Sequence, residues 1–507
     1  MSLPQYPESY WLHAAATPKF DKLEEDITVD VAIVGGGISG ITTAYLLTKR
    51  GLKVVLVEAG TLLTGTTGHT TAKITAQHDL IYDEYISHFG KEQARLYYEA
   101  NDEALQFIRR QVRELGIDCN LIDQDAYVYT TSTDQLAKLA AEFAAYEALG
   151  IPSAYVEQTP LPLSVKGAVV MKEQAQFHPV SYLTRMVQAV IEQGGRIFEN
   201  TAAISADHGQ PCTVTVEGGH TISCDYIATC SHYPFYEGMG FYFARMHPER
   251  SYALAVQTNT PYPGGMYVNA EDPKRSLRSI SAGDETWVLL GGESHKTGQG
   301  ICTVDHYEAL RVFGEDLFGI SKIHYRWSAQ DYITLDKLPF IGRTTAGKPN
   351  ILVATGFKKW GMTTGTAAAI LIDKLIAGEQ SPYEALFGPT RFPADPSWKS
   401  AITENANVAK HLIAGKLEMV NRKPEDLGID EGGVVTINGK RAGAYRDEDN
   451  KLYMLDTTCT HMGCEVEWNT GERTWDCPCH GSRFSFEGEV LEGPAKKPLK
   501  RIEDHGE

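Results

Sequence analysis

The alternation of apolar and polar positions opens the chain with a strand–helix–strand unit. Val29–Val34 (VDVAIV) is a β-branched run and reads as a strand. Gly35-Gly36-Gly37-Ile38-Ser39-Gly40 follows, then a helical pattern over Ile41–Arg50 that stops at Gly51. A second apolar run, Lys53–Glu58 (KVVLVE), predicts the next strand, and the three together predict a βαβ unit. Lys91–Leu115, Thr133–Leu149 and Val180–Gln193 carry the spacing of amphipathic helices, the last ended by Gly194-Gly195. Cys224–Thr229 (CDYIAT) predicts a buried strand. From Ile351 the pattern returns to strand (ILVATGF), then to Gly361-Met362-Thr363-Thr364-Gly365, then to a helix (AAAILIDKLIAG).

This rhythm ends near PTRFPADPSWKS, and a polar segment follows. Beyond Pro424 the pattern becomes short strands with tight turns: VVTING, KRAGAYRD, KLYMLD, GERTWDC and RFSFEG. That predicts an all-β module at the C-terminal end. No internal repeat and no low-complexity tract interrupts either part.

Composition narrows the classes. At roughly 150 residues per domain, 507 residues predict two to four domains. An apolar share of 42% with 22% charged residues is that of a folded chain, not a disordered one. A net charge of −18 argues against nucleic acid and against docking on anionic lipid, both of which need clustered Lys and Arg. No apolar run approaches the roughly 18–20 residues of a membrane span. The first thirty residues lack a basic patch followed by an apolar stretch, so a cytoplasmic setting is the expectation.

The nine cysteines are uneven. Cys119, Cys212, Cys224, Cys230 and Cys302 are scattered and expected to be small core hydrophobes. The other four fall between Cys459 and Cys479, and clustered thiols in a cytoplasmic chain favour metal.

Gly35, Gly37 and Gly40 form G-x-G-x-x-G. The first makes the tight turn, the second lets the backbone approach a pyrophosphate, and the third lets helix pack on strand. The helix N-terminus then offers free N–H groups and a positive dipole end to phosphate. Glu58, 18 residues past Gly40, ends the second strand and can accept from ribose hydroxyls. A lone fingerprint is weak evidence; this one follows a strand, opens a helix and has its carboxylate at the right distance.

Several segments resemble the FAD-dependent amine and amino-acid oxidases of the D-amino-acid oxidase type. They are DVAIVGGGISGITTAYLLTKRGLKVVLVEAG, AQFHPVSYLTRMVQAVIEQGGRIFENT, YIATCSHYPF, and LDKLPFIGR followed by ILVATGFKKWGMTTGTAAAILI. The resemblance implies FAD, with contacts from Gly35, Gly37, Ile38, Ser39, Gly40, Glu58, Ala59, Thr66, Thr67, His69, Thr229, Gly356, Gly361, Met362 and Thr363. A second G-x-G-x-x-G for a nicotinamide cofactor is absent. The loop Thr64–Lys73 (TGTTGHTTAK) is similar to the Gly-Thr-Thr-x-His loop of sarcosine and dimethylglycine dehydrogenases. There the histidine is bonded to the flavin, so His69 is a candidate either for that bond or for plain contact. Lys73 is a candidate polar neighbour of the ring, or a solvated loop lysine.

The C-terminal module reads Cys459-Thr460-His461-Met462-Gly463-Cys464 and, sixteen positions on from His461, Cys477-Pro478-Cys479-His480-Gly481-Ser482. C-x-H with C-x-x-H resembles the Rieske pattern. Two thiolates hold one iron of a [2Fe-2S] cluster and two imidazoles hold the other, at about −150 to +300 mV. The resemblance makes Cys459, His461, Cys477 and His480 the ligands. Two Cys and two His could also hold zinc, but zinc has no need of the extra pair Cys464 and Cys479. That pair resembles the disulfide of the cytochrome bc-type Rieske proteins; two reduced thiols are the alternative. Ser482 matches a serine that donates to a cluster sulfur, whereas Phe484 stands where a tyrosine donates a second bond. An intermediate potential is therefore expected.

The resemblance also implies the architecture. Residues 1–395 form an α/β doubly wound FAD-binding domain in pieces (27–90, 165–230, 326–390) with a mixed antiparallel-sheet cap (91–164, 231–325). A linker over 396–423 leads to an all-β Rieske domain at 424–507. The cap holds His232, Tyr233, Arg245, Tyr252, Tyr267 and His295, and Arg326, Gln330 and Asp331 lie just beyond it; all are substrate-site candidates, and no catalytic acid or base is assigned. The function expected is an FAD-dependent dehydrogenase of an amine or amino-acid-like substrate that passes electrons singly through the cluster to an external acceptor. A reductase running the other way and a redox sensor are the alternatives, and the sequence leaves the oligomeric state open.

Overall fold

The computed structural model describes residues 2–502 except 301, 346, 392–393 and 418–419, and leaves aside the side chains of 394–401, 413–414 and 417. The apolar runs at the start of the chain become Val31–Val34 and Val54–Val57, strands buried on both faces. That is the burial a parallel sheet covered on both faces demands. They form the middle of a six-stranded sheet in the order Phe340–Thr345, Lys348–Thr355, Tyr226–Thr229, Val31–Val34, Val54–Val57, Arg196–Phe198, parallel except for its first member. Helices Ile38–Lys49, Pro179–Glu192 and Gly361–Ile376 cover it. The last begins at Gly361, so the glycine-bounded turn expected there is the helix's first turn. A small four-stranded sheet, which includes Ile27–Thr28 and Thr221–Cys224, flanks this layer.

A nine-stranded, mostly antiparallel sheet stands against it. From one edge it runs Ile320–Thr334, Met246–Thr258, Glu285–Lys296. Hydrogen bonding divides the pieces differently from the sequence reading. Gly167–Gln176 and residues 326–334, read as FAD-domain pieces, are strands of this large sheet. Lys91–Glu114, read as cap, packs on Gly361–Ile376. Periodicity shows which face of an element is apolar, but not which layer receives it.

The C-terminal module has a three-stranded sheet (Glu431–Ile437, Lys440–Arg446, Leu452–Leu455) and a four-stranded one (Glu467–Asn469, Thr474–Asp476, Arg483–Ser485, Val490–Glu492). Its core gathers Leu455, Val466, Trp475 and Phe484. The segment read as a linker carries the helix Ala394–Leu417, whose Val408 and Leu412 pack against that core. Of the scattered cysteines four are buried, but Cys302 is exposed, at the N-cap of helix Thr303–Phe318. No helix among the described residues is long and apolar enough to cross a membrane.

Candidate functional site

The chain leaves Val31–Val34 through Gly35 at φ 112°, where a Cβ would stand 2.4 Å from the Cys230 carbonyl oxygen. At Gly40 a Cβ would meet Gly35 O at 1.9 Å. Only glycines let helix Ile38–Lys49 close on the strand and aim its free N–H groups past the turn. The Glu58 carboxylate accepts from Gly36 N–H (2.7 Å) and Gly60 N–H (2.9 Å), and burial pushes its pKa up. Thr67 Oγ1 accepts from Ile38 N–H at 3.1 Å, tying the following loop to the helix start.

These groups form one end of a cavity of about 340 Å³, the size range of small-ligand sites. Its walls include Gly35, Gly37, Ile38, Ser39, Glu58, Ala59, Thr66, Thr67, His69, Gly361 and Met362. His69 Nδ1 donates to Gly65 O (3.0 Å), and burial lowers its pKa, so its neutral ring keeps Nε2 free of that bond. Gly40, Thr229, Gly356 and Thr363 do not reach the cavity wall. Thr229 donates to Leu352 O (3.1 Å) and Thr363 to Thr75 O (3.0 Å), so both hydroxyls are consumed inside the sheet–helix layer. Gly356, at φ 77°, gives close passage beside Thr334. Lys73 is not solvated and is not among the residues of the cavity wall. It lies buried in the large sheet, donating to Tyr267 O (2.8 Å) and Ser276 Oγ (2.6 Å), and burial lowers its pKa to about 7.

In the C-terminal module two loops bring four side chains together. Cys459 and Cys477 share a thiol–thiol hydrogen bond, which lowers Cys459 to about 7 and raises Cys477. The main-chain N–H groups of His461 and Met462 and the Ser482 hydroxyl also draw Cys459 down. The rings of His461 and His480 stand 5.0 Å apart at 90°. Burial holds both imidazoles neutral, His480 down to about 4, and His461 Nδ1 is buried without a hydrogen-bond partner. Two thiols that share a proton, with two neutral imidazoles and an orphaned ring nitrogen, suit a pair of irons. Cys464 and Cys479 are joined as a disulfide, and the Cys477 sulfur lies within 4.8 Å of both their sulfurs.

A family model for FAD dependent oxidoreductases matches residues 30–375, and one for the Rieske [2Fe-2S] domain matches residues 419–503. The chain belongs to the FAD dependent oxidoreductases and carries a Rieske domain. YhfW of Bacillus subtilis (strain 168), whose name contains the words Rieske 2Fe-2S iron-sulfur protein, is 52% identical over 98% of both chains. Gamma-glutamylputrescine oxidoreductase of Escherichia coli (strain K12) is 24% identical over 77% of this chain and 93% of its own. Glycine oxidase from Geobacillus kaustophilus shares the fold of the first part, with a TM-score of 0.63 at 18% identity over 72% of this chain and 99% of its own.

This FAD dependent oxidoreductase holds its Rieske domain against the cavity. Leu491, Glu492 and Gly493 of that domain form part of the cavity wall, beside Tyr332. Tyr332 OH shares its hydrogen between the carbonyls of Gly493 (3.0 Å) and His480 (3.3 Å). Gln330 Nε2 donates to Gly481 O (2.8 Å), and the ring of Tyr233, also in the cavity wall, stands 6.4 Å from that of His461. The interface also buries charge. Arg250, 0% exposed, donates to Ser328 Oγ and faces Glu492 at 3.7 Å and Asp476 at 3.8 Å, while Arg483 donates to both of those carboxylates. Sequence reasoning gave no sign that residues 491–493 border the cavity that begins at Gly35.

Of the substrate-site candidates, His232, Tyr233, Tyr252 and Asp331 line the cavity. The others serve structure. Arg245 donates to Gly240 O and Arg391 O, and Arg326 to Pro4, Gln5 and Gly471 carbonyls. Tyr267 is fully buried against Tyr127, and His295 accepts or donates at Tyr252 OH (2.8 Å).

Proposed function

We propose that the chain oxidises an amine or amino-acid-like substrate at an FAD held in the cavity and releases the electrons singly through its own Rieske cluster. Cys459, His461, Cys477 and His480 hold the cluster in this reading, and the residues around Gly35, Glu58, Thr66 and His69 hold the dinucleotide. Bound FAD takes two electrons as a hydride and a Rieske cluster carries one at a time. The observation that carries the reading is the shared wall, in which Tyr332 lines the cavity and bonds to the main chain of His480. The intrachain route is favoured because the imidazole pair sits beside Tyr233 and Tyr332 of the same polypeptide. The name of the Escherichia coli relative points to amine chemistry. The setting proposed is cytoplasmic, with an external one-electron acceptor.

Anaerobic stopped-flow mixing with substrate tests this. The flavin band bleaches first and the cluster signal follows, at a rate independent of protein concentration. A cluster that stays oxidised, or that reduces only in proportion to protein concentration, defeats the intrachain outlet.

A further inference from the structure

The cavity walls carry a one-sided charge. Among the described lining residues there is no arginine, and the one lysine, Lys359, has its Nζ bonded to Glu249 at 2.7 Å. His232, also in the wall, has its Nε2 donating to Gln330 O at 2.9 Å. Three carboxylates stand in the wall, and the main-chain N–H groups of Gly36 and Gly60 hold that of Glu58. Glu492 has one oxygen held by Arg483 at 2.6 Å and the other without a hydrogen-bond partner. Asp331 is 7% exposed and lines the cavity from the large sheet, with the Lys359 main-chain N–H beside it and no ion pair among the described residues. A ligand carboxylate placed here would be desolvated among these acids, and the one lysine of the wall is already tied to Glu249. A ligand ammonium would find Asp331 unpaired.

Resting on the dehydrogenase reading, we propose that the substrate is an organic amine with no carboxylate on the reacting carbon, and that Asp331 binds its nitrogen. Burial pushes the Asp331 carboxyl up from its usual range, against the pull of His232 and Lys359. In the reaction the ammonium nitrogen gives one proton to Asp331. The adjacent C–H bond then breaks with its electron pair leaving as hydride to the FAD, and a C=N bond forms. Water hydrolyses the resulting iminium to an aldehyde and ammonium.

The test uses the holoenzyme and two matched pairs of ligands. Tert-butylamine and pivalate share a tert-butyl group, carry opposite charge and have no hydrogen on the carbon that bears the charged group. Tert-butylamine shifts the flavin absorbance saturably and pivalate does not. In Asp331→Asn the tert-butylamine affinity falls by about tenfold or more, while dithionite still reduces both centres. Butylamine and norvaline differ only by the carboxylate, and butylamine alone bleaches the flavin. The proposal is overturned by pivalate binding as well as its partner, by norvaline reducing the flavin as fast as butylamine, or by no response to tert-butylamine in the native protein. The ligand pairs decide on the native protein even where Asp331→Asn takes up no flavin. Photoreduced flavin that passes electrons to the cluster, together with no cation binding, sinks the substrate assignment alone. Butylamine bleaching with the cluster left oxidised sinks the outlet alone.

Discussion

The hydroxyl of Tyr332 reaches the main-chain carbonyl of His480 at 3.3 Å while the residue lines the cavity that begins at Gly35. One residue of the large sheet therefore touches both the cavity and a cluster-ligand loop. The sheet places it there because the last residues of Ile320–Thr334 pass beside the loop Cys477–Ser482, where Gln330 Nε2 donates to Gly481 O.

Tyr332→Phe keeps the ring and removes this bond. Flavin reduction by substrate should be unchanged, cluster reduction slower, and stability lower by about 1 kcal/mol, the worth of one buried hydrogen bond. Stopped-flow traces at the two chromophores, with a denaturant titration, give all three. Unaltered cluster reduction would show that electrons cross elsewhere along the shared wall.

Arg250 supplies a buried positive charge to the interface, at distances where its pairing with Glu492 and Asp476 is Coulombic. Arg250→Leu leaves Arg483 as the near cation for both carboxylates. It should cost about 3–5 kcal/mol and make the Rieske domain releasable by limited proteolysis. If the variant melts like the parent and resists the protease, the charge network does not hold the domains together.

Ser482 Oγ accepts from Ala495 N–H (3.0 Å), and its own hydrogen is among the groups that draw the Cys459 thiol down. Ser482→Ala should lower the cluster midpoint potential, because an acceptor sulfur loses a donor that favours the reduced state. Phe484→Tyr should raise it if the added hydroxyl finds the same sulfur. Redox titration followed by EPR reads both, and a Ser482→Ala potential equal to the parent's would remove the serine from the account.

Two buried histidines set an acid limit. Burial lowers His78 to about 3 and His178 to about 4. An unfolded chain takes up these protons near pH 6.5 and the folded chain does not. The stability they contribute is thus complete above about 6.5 and is lost as pH falls toward 4, by roughly 3 kcal/mol for each. His78 Nδ1 accepts from Tyr97 OH (2.6 Å) and its Nε2 donates to Thr75 O (2.8 Å). His78→Gln should be less stable than the parent at pH 7.5 yet lose less on acidification to pH 4.5. Parallel stability curves for the two proteins would contradict the assignment.

Site residues close together in the chain were legible, and others were not. Gly35, Gly37 and Glu58 form one βαβ turn, and local geometry alone aims them at a dinucleotide. Thr229 and Thr363 sit in segments that resemble cofactor-binding stretches, yet their hydroxyls turn inward to Leu352 and Thr75. A segment resemblance names the stretch; side-chain direction depends on which face the layer above it buries. Asp331 was legible only as a weak candidate, because only the folded sheet sets it in the cavity wall with no ion pair among the described residues.

Two glycine- and cysteine-based motifs, each compact in the chain, determined by themselves that a dinucleotide fold and a Rieske module coexist here. Their chemistry needs particular residue types at short spacing, so the evidence is local. Tertiary structure alone decided that Leu491–Gly493 close the cavity begun at Gly35, that Tyr332 bridges it to His480, and that Arg250 is buried between the modules. These contacts join residues more than a hundred positions apart. They arise from packing two finished surfaces together, for which neither spacing nor periodicity leaves a mark.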